Sequence, residues 1–187
     1  IPVKIDYKEK EIDLLTMKQN QPVFSQTIEP DKIIKVINTD QIDTRFPIQN
    51  ISTGIQHTLI PLKSLEAIKN VSVNQEELVK LLESTGSIGI FLFTSETYNE
   101  KNDINARMFF YPNRVAEDPV TGSANGCLNA YLLKHNYCNS SRIDIRVEQG
   151  FEISRDGIIY LKGEKKENSY EIFVGGKVFP VAECRLI

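Results

Sequence analysis

Glu117-Asp118-Pro119-Val120-Thr121-Gly122-Ser123-Ala124 is the stretch whose reading decides the fold. It follows the apolar run Ala106-Arg107-Met108-Phe109-Phe110-Tyr111-Pro112 and leads into Asn125-Gly126-Cys127-Leu128-Asn129-Ala130-Tyr131-Leu132-Leu133-Lys134. That order reads as a strand, an acidic turn and a buried helix. The turn brings two carboxylates, Glu117 and Asp118, and two hydroxyls, Thr121 and Ser123, to a helix N-terminus. The first N–H groups of a helix lack partners within it, and the helix dipole is positive there, so this end is suited to an anion. Gly122 would let a ligand approach the backbone closely. Two plainer readings stand beside this one: Asp118 caps the turn and helix through backbone N–H groups, and Thr121 or Ser123 serves as an ordinary N-cap.

Working outward, Ser87–Thr94 is nearly all apolar and reads as a buried strand. Pro2–Met17 alternates around Lys8-Glu9-Lys10-Glu11 and reads as a β-hairpin. Gln19–Gln26 reads as an extended connector. Pro30, with Ile33, Ile34 and Ile37 on one face, predicts a short helix over residues 30–38. Gln49–Thr53 and Thr58–Leu62 read as strand segments around Gly54, and Ser64–Lys69 as a short helix. Asn74 and Glu77 resemble a capping box before Leu78, Leu81 and Leu82. Arg142–Glu148 alternates as a strand up to a break at Gln149-Gly150. Asp156-Gly157 is a turn signal. Strands are expected at Ile158–Leu161 and Tyr170–Val174, parted by a charged tip over 162–168. A tight turn at Gly175-Gly176 precedes a last segment, Lys177–Ala182. Short strands with a few helices indicate α+β rather than alternating βαβ units.

The 187 residues are 41% hydrophobic and 25% charged, the mix of an ordinary globular domain. A net charge of −3 offers no basic surplus for nucleic acid. No apolar run approaches the 18 or so residues of a membrane span. The three cysteines, Cys127, Cys138 and Cys184, are widely spaced, with no CxxC pair or His/Cys cluster of a zinc site. Reduced thiols in the cytoplasm are expected. The start, Ile1-Pro2-Val3-Lys4-Ile5-Asp6, lacks an initiator Met and resembles a strand already under way. It reads as a chain that starts inside a larger product, or that was cut.

At Glu117–Ala124 the sequence resembles the phenazine-biosynthesis PhzF-like isomerases, which share the diaminopimelate-epimerase fold. Ser52-Thr53-Gly54 with His57, Leu59-Ile60-Pro61-Leu62, Val147-Glu148-Gln149-Gly150 and Val174-Gly175-Gly176 match further family segments in order. The resemblance implies two similar domains, each an antiparallel β-barrel-like sheet around a central helix, with the site between them. It further implies that residues 25–182 form the C-terminal domain. Residues 1–24 would be strands of an N-terminal domain otherwise absent, and 183–187 a terminal strand returning to it. The family's main acid/base glutamate would lie in the absent part.

The implied reaction is a cofactor-free proton shift on a small carboxylate-bearing metabolite, with no metal. Asp118 matches the family's second functional carboxylate and is the catalytic candidate. Thr121, Gly122, Ser123 and Ala124, with His57, are the substrate-binding candidates, and Glu117 reads as structural. Cys127 reads as a small core residue, although epimerases of this fold keep a cysteine nearby. A lone His beside an apolar strand, as at His57, is also commonly structural. His135 suits the dipole at the helix C-terminus. Unpaired strand edges would be covered in a homodimer or by a separate N-terminal chain. The alternative function is a non-catalytic remnant that binds a small anion or serves in assembly.

Overall fold

In the computed structural model, which describes residues 1–111, 117–179 and 181–185, β1 (Val3–Lys8) and β2 (Glu11–Lys18) form the opening hairpin. Its turn residues Glu9 and Lys10 both take positive φ, 50° and 73°, the geometry that follows strand twist in a two-residue loop. β3 (Val23–Ile28) occupies the stretch expected to be a connector. α1 (Pro30–Ile37) starts at its proline and closes on Asn38 in the left-handed conformation. β4 (Ile48–Ser52) and β5 (Gln56–Pro61) flank Gly54. Ser64 caps α2 (Leu65–Lys69), and Asn74 caps α3 (Gln75–Thr85) by accepting from the Glu76 and Glu77 amides. Glu77 pairs with Lys80 and does not complete a capping box. β6 (Gly89–Thr94), β7 (Ile104–Phe110) and the short β8 (Glu117–Asp118) lead to α4 (Gly122–Lys134). β9 (Arg142–Gln149), β10 (Gly157–Lys165) and β11 (Tyr170–Lys177) complete the described elements.

The strands form one sheet in the order β1-β2-β11-β10-β9-β7-β6-β5-β4-β3, with β8 paired to β7. The expectation of an antiparallel sheet is corrected at two places. β5 runs parallel to β6, and β7 to β9. Each parallel pair is joined by a helical crossover, because a short loop cannot reverse the chain twice. α2 and α3 make the first crossover and α4 the second.

α4 is buried from Ala124 to Leu133. A helix apolar on all sides needs cover on all sides, and the sheet curls to provide it, with β10 and β11 packing from one wing and β4 and β5 from the other. Asn129 is satisfied there by donating to the Lys162 and Phe173 carbonyls. A second apolar layer forms outside, where α1, α2 and α3 cover Ile60, Ile90, Leu92 and Phe109. β6 is therefore buried on both faces, with Phe91 and Phe93 turned to the α4 core and Ile90 and Leu92 to the outer helices.

The curled wings meet through side chains. Gln21 exchanges hydrogen bonds with the Tyr170 backbone, and Phe24 packs on Tyr170 at 5.4 Å between ring centroids. Among the described residues the two edge strands, β1 and β3, share no ladder, so closure of the sheet into a barrel is not shown.

Gly175-Gly176 is not a turn. Both glycines lie inside β11, opposite Thr16 and Leu15 of β2. A Cβ on Gly175 would stand 2.9 Å from Thr16 Oγ1, so the pair permits close strand approach. β10 likewise continues through Lys165, which shortens the expected charged tip. No strand is present among the described residues after Lys177, and the calls on Pro112, Pro180, Leu186 and Ile187 lie outside the described residues. The opening hairpin is laddered to β11 through β2, in the same sheet as the rest.

Candidate functional site

The acidic turn is fixed from below by β7. Met108 pairs with Asp118 and Phe109 with Glu117. Arg107 makes a two-pronged ion pair with Glu117, at 2.9 and 2.7 Å, and donates to the Ile68 carbonyl at 2.9 Å. The two side chains are only 9% and 8% exposed, so this pair is shielded from screening. Glu117 is thus the anchor of β8, as its structural reading required. Its neighbour Asp118 is half-buried and presents its carboxylate where the turn begins.

Asp118 Oδ2 accepts a short hydrogen bond from the Thr121 hydroxyl. Thr121 is the N-cap residue by position, but its side chain makes no capping bond. Gln149, fully buried at the end of β9, braces the turn instead. Its Nε2 donates to the Asp118 carbonyl (2.8 Å) and Thr121 Oγ1 (3.0 Å). Its Oε1 accepts from the Thr121 amide (3.1 Å) and from Asn125 Nδ2 (3.3 Å). Gly150 is required next to it: φ is 89°, and a Cβ would fall 2.7 Å from the Pro119 carbonyl oxygen.

The Gly122, Ser123 and Ala124 amides have no hydrogen-bond partner among the described residues. Neither Asp118, Thr121 nor Ser123 caps them, so the ordinary capping readings do not describe this turn. Gly122 is exposed, and apart from its chain neighbours and the helix's own backbone no atom of the described residues lies within 4 Å of where its Cβ would be. The described residues leave the space beside Gly122 open.

Ser123 Oγ lies 3.1 Å from His57 Nε2. His57, on β5, is fully buried, and burial pushes its pKa down to about 4. Among the described residues its one ring partner is Ser123, so any contact it has with the helix start runs through that hydroxyl. Cys127, one turn further along α4, is buried with its thiol toward the Ile55 carbonyl at 3.6 Å, and burial raises its pKa to about 11. A thiol so held is a core group, not a nucleophile. His135 bonds Gln49 Oε1 at 2.9 Å, and burial and nearby Lys134 lower its pKa to about 4. It is neutral near pH 7 and adds no cation to the helix C-terminus, contrary to expectation.

Three residues of this assembly escaped the sequence reading: Gln149, Asn125 and Arg107. Gln149 stands in the Val147–Gly150 motif, which the sequence reading treats as a strand break and as a family segment without a role for this side chain. Its neighbour Glu148 points to the other face and accepts four bonds, from the Tyr98 and Asn99 amides and the Asn102 and Asn105 side chains. Those bonds pin the polar loop before β7. Among the described residues no three His, Cys, Asp or Glu side chains converge as a metal site. A surface cavity of about 390 Å³ takes none of its lining from the acidic turn or from α4. Among the described residues the chemistry on offer is therefore one carboxylate, one hydroxyl and the unbonded Gly122 and Ser123 amides beside an open space; the Ala124 amide is unbonded as well but buried.

The sequence matches the family described as "Phenazine biosynthesis-like protein" over residues 1–184. An uncharacterized isomerase of Bacillus subtilis, YfhB, is 34% identical over 166 residues, which cover 87% of this chain and 56% of that protein. An uncharacterized isomerase of Clostridium acetobutylicum is 30% identical over 195 residues, 100% of this chain and 64% of that one. The crystal structure of a PhzF-family phenazine biosynthesis protein from Bacillus anthracis aligns with a TM-score of 0.83 at 27% identity, covering 94% of this chain and 61% of that chain. The chain thus spans less than two thirds of the length of each of these relatives. With its acidic turn, its enclosed helix and a match along nearly its whole length, the chain belongs to the PhzC-PhzF family of phenazine biosynthesis-like proteins.

Proposed function

We propose that this chain carries one half of the site of a PhzF-type isomerase, and that an N-terminal domain supplies the other half. The reaction is a proton shift on a small carboxylate-bearing metabolite, run without a cofactor. The substrate carboxylate sits against the Gly122 and Ser123 amides and the Ser123 hydroxyl. Asp118 moves or orients the proton next to it, and the complementary domain supplies the second acid/base group, since a proton shift needs one group to take and one to give. The observation that carries this reading is Asp118 held beside the unbonded Gly122 and Ser123 amides and the open space beside Gly122.

In this scheme residues 25–182 form the complete domain, while residues 1–24 and 183–187 serve the complementary one. Val3, Ile5 and Tyr7 support that division. They are 54%, 45% and 64% exposed. Their register through Met17 to Val174 turns Val3 and Ile5 to the face of the sheet that holds α4. An apolar strip continuing a core face is suited to a covering domain or a second copy. The cytoplasm fits a chain whose three cysteines are free thiols.

The test combines this chain with a separately produced N-terminal domain and assays proton exchange and isomerisation on a panel of small amino and hydroxy acids. Asp118→Asn lowers turnover at least about 100-fold while leaving the fold intact. Undiminished turnover in that variant, or an inactive pair, counts against the proposal. The second reading, a subunit that binds a small anion without catalysis, is favoured by the same amides, which need no second carboxylate. It predicts anion binding that Asp118→Asn leaves unchanged, with no turnover in any pairing.

A further inference from the structure

His57 is a buried, neutral imidazole with one partner, the Ser123 hydroxyl at 3.1 Å. Its Nδ1 is buried and has no partner among the described residues. A neutral imidazole carries its proton on one nitrogen only. Were it on Nδ1, a buried N–H donor would stand unbonded, the costlier of the two ways to leave a polar atom alone. The proton therefore belongs on Nε2, facing Ser123 Oγ. An oxygen that accepts from His57 keeps its own proton free for another direction. Ser123 lies in the first turn of α4, between amides that have no partner among the described residues.

We propose that His57 is a positioning residue: its Nε2–H donates to Ser123 Oγ and turns the serine's own proton outward, as a further donor to an anion at the start of α4. This rests on the anion-binding reading above. It assigns Ser123 the work of a hydrogen-bond donor rather than of a nucleophile, because a histidine that donates to the hydroxyl does not take its proton. The carboxylate then meets the Gly122 and Ser123 N–H groups and one O–H group. Any ligand lacking an acceptor at that point leaves the hydroxyl unbonded, which makes His57 a determinant of ligand class although it touches no ligand.

Two measurements on the intact chain test this. Long-range proton–nitrogen correlation spectra of the His57 ring read the tautomer directly. The expected result is the Nε2–H form. An Nδ1–H form overturns the His57 assignment and leaves the anion reading standing. Second, acetate is titrated against the chain and followed through the Gly122, Ser123 and Ala124 amide signals. His57→Gln keeps a donor near the Nε2 position and holds the acetate affinity within about 2-fold. His57→Leu weakens it about 5- to 10-fold, the size of one net hydrogen bond, and has no further effect when Ser123→Ala is already present. Equal weakening by His57→Leu with and without Ser123 overturns the proposal. The absence of any acetate response in the unaltered chain overturns the anion reading itself, while the tautomer still judges the His57–Ser123 bond.

Discussion

Replacing Gln149 with leucine isolates the brace behind the acidic turn. The side chain is fully buried and makes four hydrogen bonds, to the Asp118 carbonyl, the Thr121 hydroxyl, the Thr121 amide and Asn125. At about 1 kcal/mol net for each, their loss is about 4 kcal/mol. Leucine has similar bulk and returns about 1 kcal/mol through apolar burial. The expected destabilisation is therefore about 3 kcal/mol, or roughly 6–12 °C in Tm for a chain of this size. Urea unfolding followed by helical circular dichroism measures it, with the midpoint moving and the slope unchanged. Gln149→Glu should be worse, since it sets an oxygen where Nε2 now faces the Asp118 carbonyl at 2.8 Å. A loss under about 1 kcal/mol for Gln149→Leu would refute the claim that this amide holds the turn. So would a normal loss that leaves the Gly122–Ala124 amide signals unmoved.

Three further outcomes are expected. Gly163→Ala places a Cβ 2.2 Å from Asn129 Oδ1; the resulting overpacking should cost about 2–3 kcal/mol in urea unfolding. Arg107→Met leaves Glu117 buried without its cation and should cost about 3–5 kcal/mol, part of which returns when Glu117→Leu is added. Stability should also fall with acid between about pH 6.5 and pH 4. His57 has a folded pKa of about 4 against 6.5 for the free group, so in that window the unfolded chain binds a proton that the folded one refuses. The contribution is complete above pH 6.5 and shrinks as pH falls, with roughly 3 kcal/mol at stake at His57. His135 acts in the same direction. Urea midpoints at pH 7 and pH 4.5 measure the slope, which a His57→Gln/His135→Gln variant should flatten.

Local signals were legible where one residue type has one dominant physical use. Pro30 started a helix, Asn74 capped one, and the unbroken apolar run of β6 announced a strand buried on both faces. Gly175-Gly176 misled because glycine pairs usually mark turns. Here they sit mid-strand, where β2 comes too close for a side chain at Gly175, and that neighbour is some 160 residues away in sequence. Val23–Ile28 looked like a connector because its strand character depends on pairing with β4. The parallel pairings were hidden for a similar reason, since crossover geometry is a property of the assembled sheet. At the site, Asp118 and the helix start were legible from Glu117–Ala124 alone. The burial of His57 and the brace from Gln149 were not, because each acts on that turn from a distant strand.

The enclosure of α4 sets the timescale on which the site can change shape. Ten consecutive residues of the helix, from Ala124 to Leu133, are buried under both wings of the sheet. Its interior amides can reach solvent only if those wings separate, so their hydrogen exchange should follow global unfolding rather than local fraying. The donors at the helix start are attached to this enclosed helix. An arriving anion would find them already ordered, with little conformational entropy left to lose on binding.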